Sequence, residues 1–283
     1  MVSAKQATKA LGQTVFGMML VAGIGRAQAG EIHRIVDFDN NISLAFVHSH
    51  VEYGERLNPP KGAYLDTDSG FVNGGRVSFS AMGSDVLPNI YIHGSYQQTT
   101  GSLGYTGGII GTTTSLSMGQ NSSIRDYGFR LGQGVPIAGW SMLVPFLTYG
   151  THHWVRGEAP TVTSPYDYQE TYNNNYFGLG AMWQAMLAHH LVTSVTAIYG
   201  RTMNPTIETP FFSEGLGPKA WLRGGLSIDY ILGRHESVFA GVTFTKFQYG
   251  AGAGVSLGTA AYGYEPFSQT ETTDYRIGIR FLI

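Results

Sequence analysis

The chain has 283 residues, with 17 Lys and Arg against 19 Asp and Glu, and it contains no cysteine. Only 13% of the residues are charged, whereas 39 are glycine; ordinary soluble domains carry roughly 25% charged residues. These proportions argue against an acidic disordered chain and against a nucleic-acid-binding protein, which needs a clustered excess of Lys and Arg. Without cysteine, disulfides, Cys-ligated metal sites and thiol nucleophiles are excluded.

The first 29 residues have the features of a secretory signal peptide. Two lysines precede an apolar stretch at residues 11–25, and Ala27-Gln28-Ala29 is a small-residue cleavage motif. The apolar stretch is too short to cross the roughly 30 Å hydrocarbon core of a bilayer as a helix. We therefore predict that residues 1–29 are a cleaved signal peptide and that residues 30–283 form the mature domain.

The rest of the chain shows the two-residue period of β-strands. From Asn41 onward, apolar and polar residues alternate in segments bounded by turn-forming residues, and no stretch shows a convincing amphipathic helical period. The connections alternate between short turns and long polar loops. The pattern predicts ten strands, at residues 42–56, 71–83, 88–101, 122–136, 141–156, 168–184, 189–202, 219–233, 236–250 and 270–283.

The alternation of short and long connections is typical of one fold class. Bacterial outer-membrane barrels have an even number of antiparallel strands, short periplasmic turns and long extracellular loops. Nearly every predicted strand also exceeds the roughly 9–11 residues needed to cross a bilayer. The sequence therefore predicts an all-β, closed, antiparallel up-and-down transmembrane β-barrel of about ten strands, with both termini on the periplasmic side. Eight or twelve strands would require only one boundary to move.

The last predicted strand indicates which residues face lipid. Tyr275, Ile277 and Ile279 lie on one face, and Asp274 and Arg276 lie on the other. In a membrane barrel the apolar face meets lipid and the polar face lines the lumen. Aromatic residues near strand ends fit the interfacial girdles of such a barrel. These residues are Trp140, Trp183 and Tyr230 on the short-turn side, and Trp154, Tyr172, Tyr199 and Tyr249 on the long-loop side.

The C-terminus carries the most specific motif. Residues 276–283 read Arg-Ile-Gly-Ile-Arg-Phe-Leu-Ile, and Arg276, Gly278, Phe281 and Ile283 stand where they resemble the terminal β-signal of outer-membrane proteins. By this motif and its whole-chain pattern, the protein resembles the small single-chain outer-membrane β-barrel proteins of Gram-negative bacteria. The resemblance implies recognition by the barrel-assembly machinery. Deletion of the last three residues is expected to block membrane assembly and leave periplasmic aggregates.

Charged residues on the polar strand faces are expected to line the lumen. A barrel of eight strands is only just filled by its own side chains, so ten strands leave little open space. Buried charges must be paired, because an isolated one costs several kcal/mol. We predict a lumen mostly plugged by paired charges, with a narrow porin-like channel for small solutes as the alternative. The predicted lumen charge network comprises His48, His50, Glu52, Arg76, His93, Asp126, Arg130, His152, Arg223, Asp229, Arg276 and Arg280.

Two short motifs resemble parts of outer-membrane hydrolases. His93-x-Ser95 is similar to the His-x-Ser step of outer-membrane phospholipases and lipid A deacylases, but no residue that could orient the base follows at the expected distance. Asp66-x-Asp68, in the first long loop, resembles the paired aspartates of the omptin proteases, but the Asp-x-His pair that omptins also need is missing. We predict no catalytic residues, and a surface protease or lipid-modifying hydrolase is the second alternative.

The sequence offers weak candidates for metal binding. His48 and His50 share a strand face with Glu52, a spacing that arises easily by chance, so a hydrogen-bonded lumen histidine is the favoured interpretation. Asp66 and Asp68 have the carboxylates to bind Ca²⁺ weakly. We predict no metal site and no cofactor.

The long loops are the remaining candidates for function. Residues 97–120 and 166–176 are rich in Gly, Ser, Thr, Asn and Tyr, a composition suited both to adaptable recognition and to simple contact with water. We predict a non-enzymatic structural or surface-interaction role. The expected partners are outer-membrane lipid and lipopolysaccharide, the barrel-assembly machinery during biogenesis and an extracellular ligand of the long loops, with no nucleic acid.

Overall fold

The computed structural model describes residues 31–56, 65–83, 89–108, 115–158, 168–256 and 262–283. The predicted signal peptide lies outside the described residues. Where the structure is described, no helix has the length and apolar character to cross a bilayer.

The described ranges contain one helix and a succession of strands. Helix α1 spans Glu31–Phe38. The strands are β1 (Asn41–Arg56), β2 (Asp66–Met82), β3 (Ile90–Gly108), β4 (Ser115–Gln133), β5 (Val135–Ala138), β6 (Ser141–Gly157), β7 (Gln169–Ala188), β8 (Leu191–Glu208), β9 (Ser213–Gly215), β10 (Gly217–Ile231), β11 (Glu236–Gly250), β12 (Val255–Ser256), β13 (Tyr262–Gly263) and β14 (Phe267–Leu282).

Ten of these strands close into an antiparallel barrel, as the sequence predicted. Each of the long strands pairs with the next in the chain, and β14 pairs with β1 along its whole length, from Asn41 opposite Leu282 to Arg56 opposite Phe267. The short strand β5 prolongs the pairing of β4 with β6, β9 lies against β8, and β12 and β13 form a separate hairpin. We call the end of the barrel that holds Asn41 and Leu282 the terminal end, and the opposite end the loop end.

Several strands extend further than the sequence predicted. Strand β2 begins at Asp66, β3 continues to Gly108 and β8 continues to Glu208. The prediction that Asp66 and Asp68 lie in a loop is therefore wrong, because both belong to β2 and pair with β3. The barrel strands have 15 to 20 residues, whereas roughly 9–11 suffice to cross a bilayer. Part of each strand must therefore extend beyond the membrane.

The outer surface shows where the membrane-spanning part ends. On β1, the outward residues Ile42, Leu44 and Phe46 are 45% to 54% exposed, and the next outward residue is His48. An exposed apolar belt and a polar region beyond it also occur on the other strands. We call the belt the apolar band; it includes Ile42, Leu44, Phe46, Val77, Phe79, Phe129, Leu131, Leu147, Tyr149, Phe177, Leu179, Leu222, Ile228, Tyr275, Ile277, Ile279 and Phe281. We call the outward polar region on its loop side the polar collar; it includes His48, His50, Glu52, Asn73, Arg125, His153, Asn173, Arg201, Lys246 and Glu271.

Helix α1 closes the terminal end from within. The sequence analysis assigned strands from Asn41 onward and gave no element to residues 31–38, which form this helix. Ile35 and Phe38 are buried in the barrel core at 0% and 2% exposure. The side-chain amide of Gln184 donates a hydrogen bond to Asp39, just after the helix, at 2.8 Å. With only eight residues and an apolar face of two turns, α1 depends on the barrel for its stability.

The aromatic residues divide between the two faces of the wall. Trp140 and Trp183 form an edge-to-face pair at 6.3 Å near the terminal end, and Tyr199 is exposed on the outer surface. Trp154 and Tyr172 are instead fully buried inside the barrel, as is Tyr249. Their predicted place in a membrane-interface girdle is therefore wrong.

Candidate functional site

The centre of the loop end is a single arginine surrounded by carboxylates. Arg156, on β6, is 2% exposed. Its guanidinium lies 2.6 Å from Asp68, 2.8 Å from Glu55 and 2.5 Å from Glu170. Asp66 is further away, at 3.9 Å. Carboxylates on several sides accept hydrogen bonds from the guanidinium and balance its charge, as a buried arginine requires.

Aromatic side chains enclose the same guanidinium. The Arg156 carbon lies 4.1 Å from the ring centre of Tyr53 and 5.6 Å from that of Tyr172. The two tyrosine hydroxyls are 2.7 Å apart, and the Tyr172 hydroxyl donates to Glu265 at 2.7 Å. Cation–π contact of this kind stabilises a desolvated arginine.

Strand register brings these residues together. Arg156 lies directly opposite Glu170 on β7, and Tyr53 on β1 lies opposite Asp68 on β2. Because inward side chains occur at every second residue, Glu55 follows Tyr53 on the same face. Glu265 comes from the segment between β13 and β14. We call the whole group the Arg156 cluster; it comprises Arg156, Glu55, Asp66, Asp68, Glu170, Glu265, Tyr53 and Tyr172.

A further carboxylate fixes the loop segment that carries Glu265. Glu214 is buried and follows Ser213 in β9. Its carboxylate accepts hydrogen bonds from the backbone N–H of Glu265 at 2.5 Å and from that of Gly254 at 2.8 Å. The position of Glu265 is therefore set by backbone contacts as well as by the two tyrosines.

The carboxylates of the cluster hold protons more tightly than exposed ones. The cluster lies beyond the apolar band, on the loop side of the wall. Burial, followed by repulsion from Glu170, raises the pKa of Glu265 to about 8. Burial raises the pKa of Asp66 to about 6 against the opposing field of Arg156. Burial and then the neighbouring Glu265 raise the pKa of Glu55 well above its usual range. At neutral pH the cluster therefore holds protons that compensate its excess of acids.

Among the residues that the structure describes, no group of three or more His, Cys, Asp or Glu side chains is arranged to hold a metal ion. The suggested Ca²⁺ ligands Asp66 and Asp68 instead face Arg156, whose guanidinium takes the place that a cation would need.

Part of the predicted lumen network lines a second charged region, at the level of the apolar band. A polar cavity of about 100 Å³ lies inside the barrel. Its lining includes side chains from β2, β3, β4, β10 and β14. Phe38 and Asp39, at the end of α1, bound it on the terminal side. We call it the arginine chamber; its charged and imidazole side chains from the strands are Arg76, His93, Arg130, Arg223, Arg276 and Arg280.

The other inward members of the predicted network form pairs. The Asp126 carboxylate lies 2.8 Å from Nδ1 of His152, which is 2% exposed. Asp229, at 0% exposure, accepts a hydrogen bond from Nε of Arg280 at 2.5 Å. These contacts have the form of the predicted charge pairs, although they leave most of the arginines without an acid.

Three members of the predicted network lie on the wrong side of the wall. His48, His50 and Glu52 face outward, on the polar collar. The ring of His48 stacks on Phe71 at 4.6 Å, and its Nδ1 is 2.7 Å from the side chain of Asn73. The prediction that these residues face the lumen is wrong, because beyond the apolar band the outer face also meets water and is polar.

Three residues of the predicted β-signal, Arg276, Gly278 and Phe281, lie in the closing strand β14, and Ile283 follows it directly. Arg276 faces inward, and Phe281 and Ile283 are exposed on the outside. At Gly278 a Cβ atom would lie 2.2 Å from the carbonyl oxygen of Leu44, so the tight junction with β1 requires glycine there. Recognition by the assembly machinery stays a prediction.

The sequence interpretation missed Arg156 as the centre of a cluster. It placed residue 156 at the very end of a strand and Asp68 in a loop, so the two did not share an environment. The available signal was the alternation itself, because Trp154 and Arg156 continue the inward face of His152.

No protein-family model and no curated protein sequence matches the chain. Solved structures do match. The outer-membrane protease OmpT of Escherichia coli aligns over 87% of this chain and 97% of its own, with a TM-score of 0.52 at 8% identity. The translocator domain of the autotransporter NalP of Neisseria meningitidis covers 98% of each chain, with a TM-score of 0.43 at 11% identity. Ail of Yersinia pestis covers 86% of this chain and 98% of its own, with a TM-score of 0.30 at 10% identity. The likeness to OmpT shows a shared fold, that of an outer-membrane β-barrel.

Proposed function

We propose that this protein is a non-conducting barrel of the bacterial outer membrane with a structural or surface-interaction role. The observation that carries this proposal is the closure of the lumen at both ends. Helix α1 occupies the terminal end, and the Arg156 cluster occupies the loop end. The polar collar forms the outer face of the part of the barrel wall that extends beyond the membrane.

An aromatic layer also crosses the interior between the two closures. Tyr176, Trp221 and Phe247 form this layer. The ring centre of Trp221 lies 4.3 Å from that of Tyr176 and 6.1 Å from that of Phe247. Each of the three side chains is at most 1% exposed. The ring of His152 stacks on Phe247 at 4.4 Å. A layer of large rings that are inaccessible to water leaves no path for hydrated ions through it.

The polar collar supports a role at the outer surface. Its exposed residues alternate along the strands with inward residues, which include members of the Arg156 cluster. His48, Phe71 and Asn73 form a connected outward group at the upper edge of the apolar band. At that height a barrel wall meets the headgroups of outer-membrane lipids, which makes lipopolysaccharide the expected neighbour of this group.

The proposal contains no catalytic step. In the omptin-like alternative, Asp66 and Asp68 would act on water together with a histidine. Here both carboxylates belong to the Arg156 cluster, and Asp68 accepts a hydrogen bond from Arg156 at 2.6 Å. A carboxylate oxygen that accepts a hydrogen bond from a buried guanidinium is not free to take a proton from water, because protonation would break that ion pair.

Single-channel recording tests the proposal. The refolded mature chain, shown to be folded by its heat-modifiable migration, is inserted in a planar bilayer in potassium chloride. We expect no steady conductance. A variant that lacks residues 31–38 and carries Arg156→Ala, Trp221→Ala and Phe247→Ala removes both closures and the aromatic layer, and it should conduct.

A steady, reproducible conductance of the wild-type chain would overturn the proposal in favour of the narrow channel. Hydrolysis of casein or of phospholipid vesicles by the folded chain, lost in Asp66→Asn/Asp68→Asn, would instead favour the hydrolase alternative.

A further inference from the structure

The arginine chamber holds an excess of positive charge inside the barrel. Arg76, Arg130, Arg223 and Arg276 enter it from β2, β4, β10 and β14, at strand positions whose outward neighbours belong to the apolar band. Each guanidinium remains charged in proteins, because arginine does not lose its proton. Four fixed positive charges at membrane depth cost free energy unless anions accompany them.

The described residues supply four carboxylates near the five chamber arginines, namely Asp39, Asp126, Asp229 and Asp274. Among the described residues, Arg280 is the one chamber arginine with a carboxylate in ion-pair distance, at Asp229. Arg223 donates to the hydroxyl of Thr245 at 3.0 Å, and Arg276 donates to that of Thr243 at 2.6 Å. Neutral hydroxyl partners satisfy hydrogen bonds but do not neutralise charge.

Two of these carboxylates are held by groups other than the arginines, and the first, Asp126, lies 2.8 Å from Nδ1 of His152. Both oxygens of Asp274 accept hydrogen bonds from neutral donors, Ser49 at 2.6 Å and Gln97 at 3.1 Å. Asp274 therefore attracts Arg76 and Arg276 at longer range without forming a direct ion pair within 4 Å. Arg76 is also close enough to Arg276 for the two to repel one another.

Four buried polar atoms of the chamber lining make no hydrogen bond among the described residues. Nε of Arg276 and Nε2 of His93 lie among the arginines, and the oxygens Oδ2 of Asp39 and Oε1 of Gln184 lie on the terminal side. Buried polar atoms without a hydrogen-bond partner are rare in folded proteins, and a bound ion or an ordered water commonly supplies the missing partner.

The cavity has the size for a small ion. A volume of about 100 Å³ exceeds the roughly 15 Å³ that one water needs. On the terminal side Phe38 and Asp39 close it, and on the loop side the aromatic layer lies beside Arg223, whose guanidinium is 5.3 Å from the ring of Trp221. A long-chain ligand does not fit between these walls.

We propose that the arginine chamber binds one tetrahedral oxyanion of the phosphate or sulfate class. Guanidinium groups bind phosphate-like oxygens through paired N–H donors. Arginines approach the cavity from several strands around the barrel, and a tetrahedral anion presents oxygens in all of these directions. A carboxylate presents only one edge and would leave most of the guanidiniums unneutralised.

This site goes beyond the proposed function, and its test does not depend on conductance. The mature chain is refolded in buffer free of phosphate, sulfate and other oxyanions, with potassium chloride as the salt, and also in the presence of inorganic phosphate, so that the ion enters during folding. Binding is then measured by ³¹P NMR line broadening and equilibrium dialysis with radiolabelled phosphate. The matched variants are Arg276→Gln in the chamber and Arg125→Gln on the polar collar.

We expect one phosphate per chain in the wild type and in Arg125→Gln, and an affinity about tenfold or more weaker in Arg276→Gln, as for loss of a charge-assisted hydrogen bond. Sulfate present during refolding should lower the amount of bound phosphate, whereas glucose 1-phosphate, which is too large for the chamber, should not. Unchanged binding in Arg276→Gln, or no binding in the wild type, overturns the proposal. Equal binding of the sugar phosphate would place the ion on the surface and overturn it as well.

If Arg276→Gln fails to migrate as a folded barrel, Thr243→Val replaces it. This variant removes the hydroxyl that positions the Arg276 guanidinium and leaves the charge in place. Weaker phosphate binding by a folded Thr243→Val chain supports the proposal, and unchanged binding contradicts it.

Discussion

The loop end and the membrane-level lumen both bury arginine, but their charge balance is opposite. In the Arg156 cluster one guanidinium meets acids on several sides. In the arginine chamber several guanidiniums share few acids, and Arg276 relies on the Thr243 hydroxyl. The first region neutralises itself through ion pairs and bound protons. The second needs charge from outside the chain, which explains how one barrel can have a structural core at one level and a ligand site at another.

Removing the central charge of the loop end should have the largest effect. We expect Arg156→Gln to lower the free energy of unfolding by about 3–5 kcal/mol, because it leaves buried carboxylates without their partner. Urea unfolding in detergent micelles at pH 8 measures the change. Arg125→Gln, at an exposed collar position, is the control and should change stability by less than about 1 kcal/mol. Equal losses in the two variants would contradict the central role of Arg156.

The stability of the loop end should fall as the pH rises. A carboxyl group whose folded-state pKa lies above its unfolded value binds a proton in the folded chain that the unfolded chain releases. Glu265, with a pKa of about 8, and Asp66, with a pKa of about 6, both have this sign. Unfolding by urea should therefore need less denaturant at pH 9 than at pH 5.

The variant Glu265→Gln should remove most of that pH dependence above pH 6. Glu208→Gln, which changes an exposed carboxylate near the same end, is the matched control and should keep it. A stability that rises between pH 5 and pH 9 would contradict the assigned proton-holding state.

The tyrosine that bridges the acids should have a moderate effect. Tyr172→Phe removes the hydrogen bond to Glu265, and we expect a loss of about 1–2 kcal/mol. Tyr249→Phe, which removes a hydrogen bond of 2.7 Å to Asn174 outside the cluster, serves as the comparison. Both variants should lose stability, but only Tyr172→Phe should shift the pH profile. Identical pH profiles would show that Tyr172 acts by packing alone.

The smallest effect is expected in the chamber, and with the opposite sign. In buffer without phosphate or sulfate, Arg276→Gln relieves repulsion from Arg76 and should leave stability unchanged or raise it by on the order of 1 kcal/mol. Addition of phosphate should then stabilise the wild type and not the variant. A loss as large as that of Arg156→Gln would indicate that the chamber, too, is internally neutralised.

The sequence predicted the barrel well because alternation and strand length are local properties. The ten strands are present, and inward residues such as Arg130 and Asp229 follow from the two-residue period. The period says which residues share a face but not which face is inside. His48 and Glu52 were assigned inward because they are polar, although their strand had already left the membrane at Phe46.

The two functional regions were harder to predict because their contacts cross the barrel. Arg156 meets Glu55 and Asp68 across 101 and 88 residues of chain, and no local pattern records such distances. Helix α1 was missed because eight residues span too few turns for a helical period to be recognised. Its apolar side chains are also buried only by the surrounding barrel, which the local sequence does not show. Trp154 was placed at the membrane surface because girdle and lumen aromatics have the same sequence signature.

The contrast between the two regions is tested most directly by locating an anion. Crystals of the wild-type chain refolded in the presence of sodium selenate, a tetrahedral oxyanion with an anomalous signal, show where such an ion binds. We predict one peak inside the barrel within hydrogen-bond distance of Arg276 and none at Arg156. A peak confined to the outer surface, or one at the loop-end cluster with an empty chamber, would contradict the account.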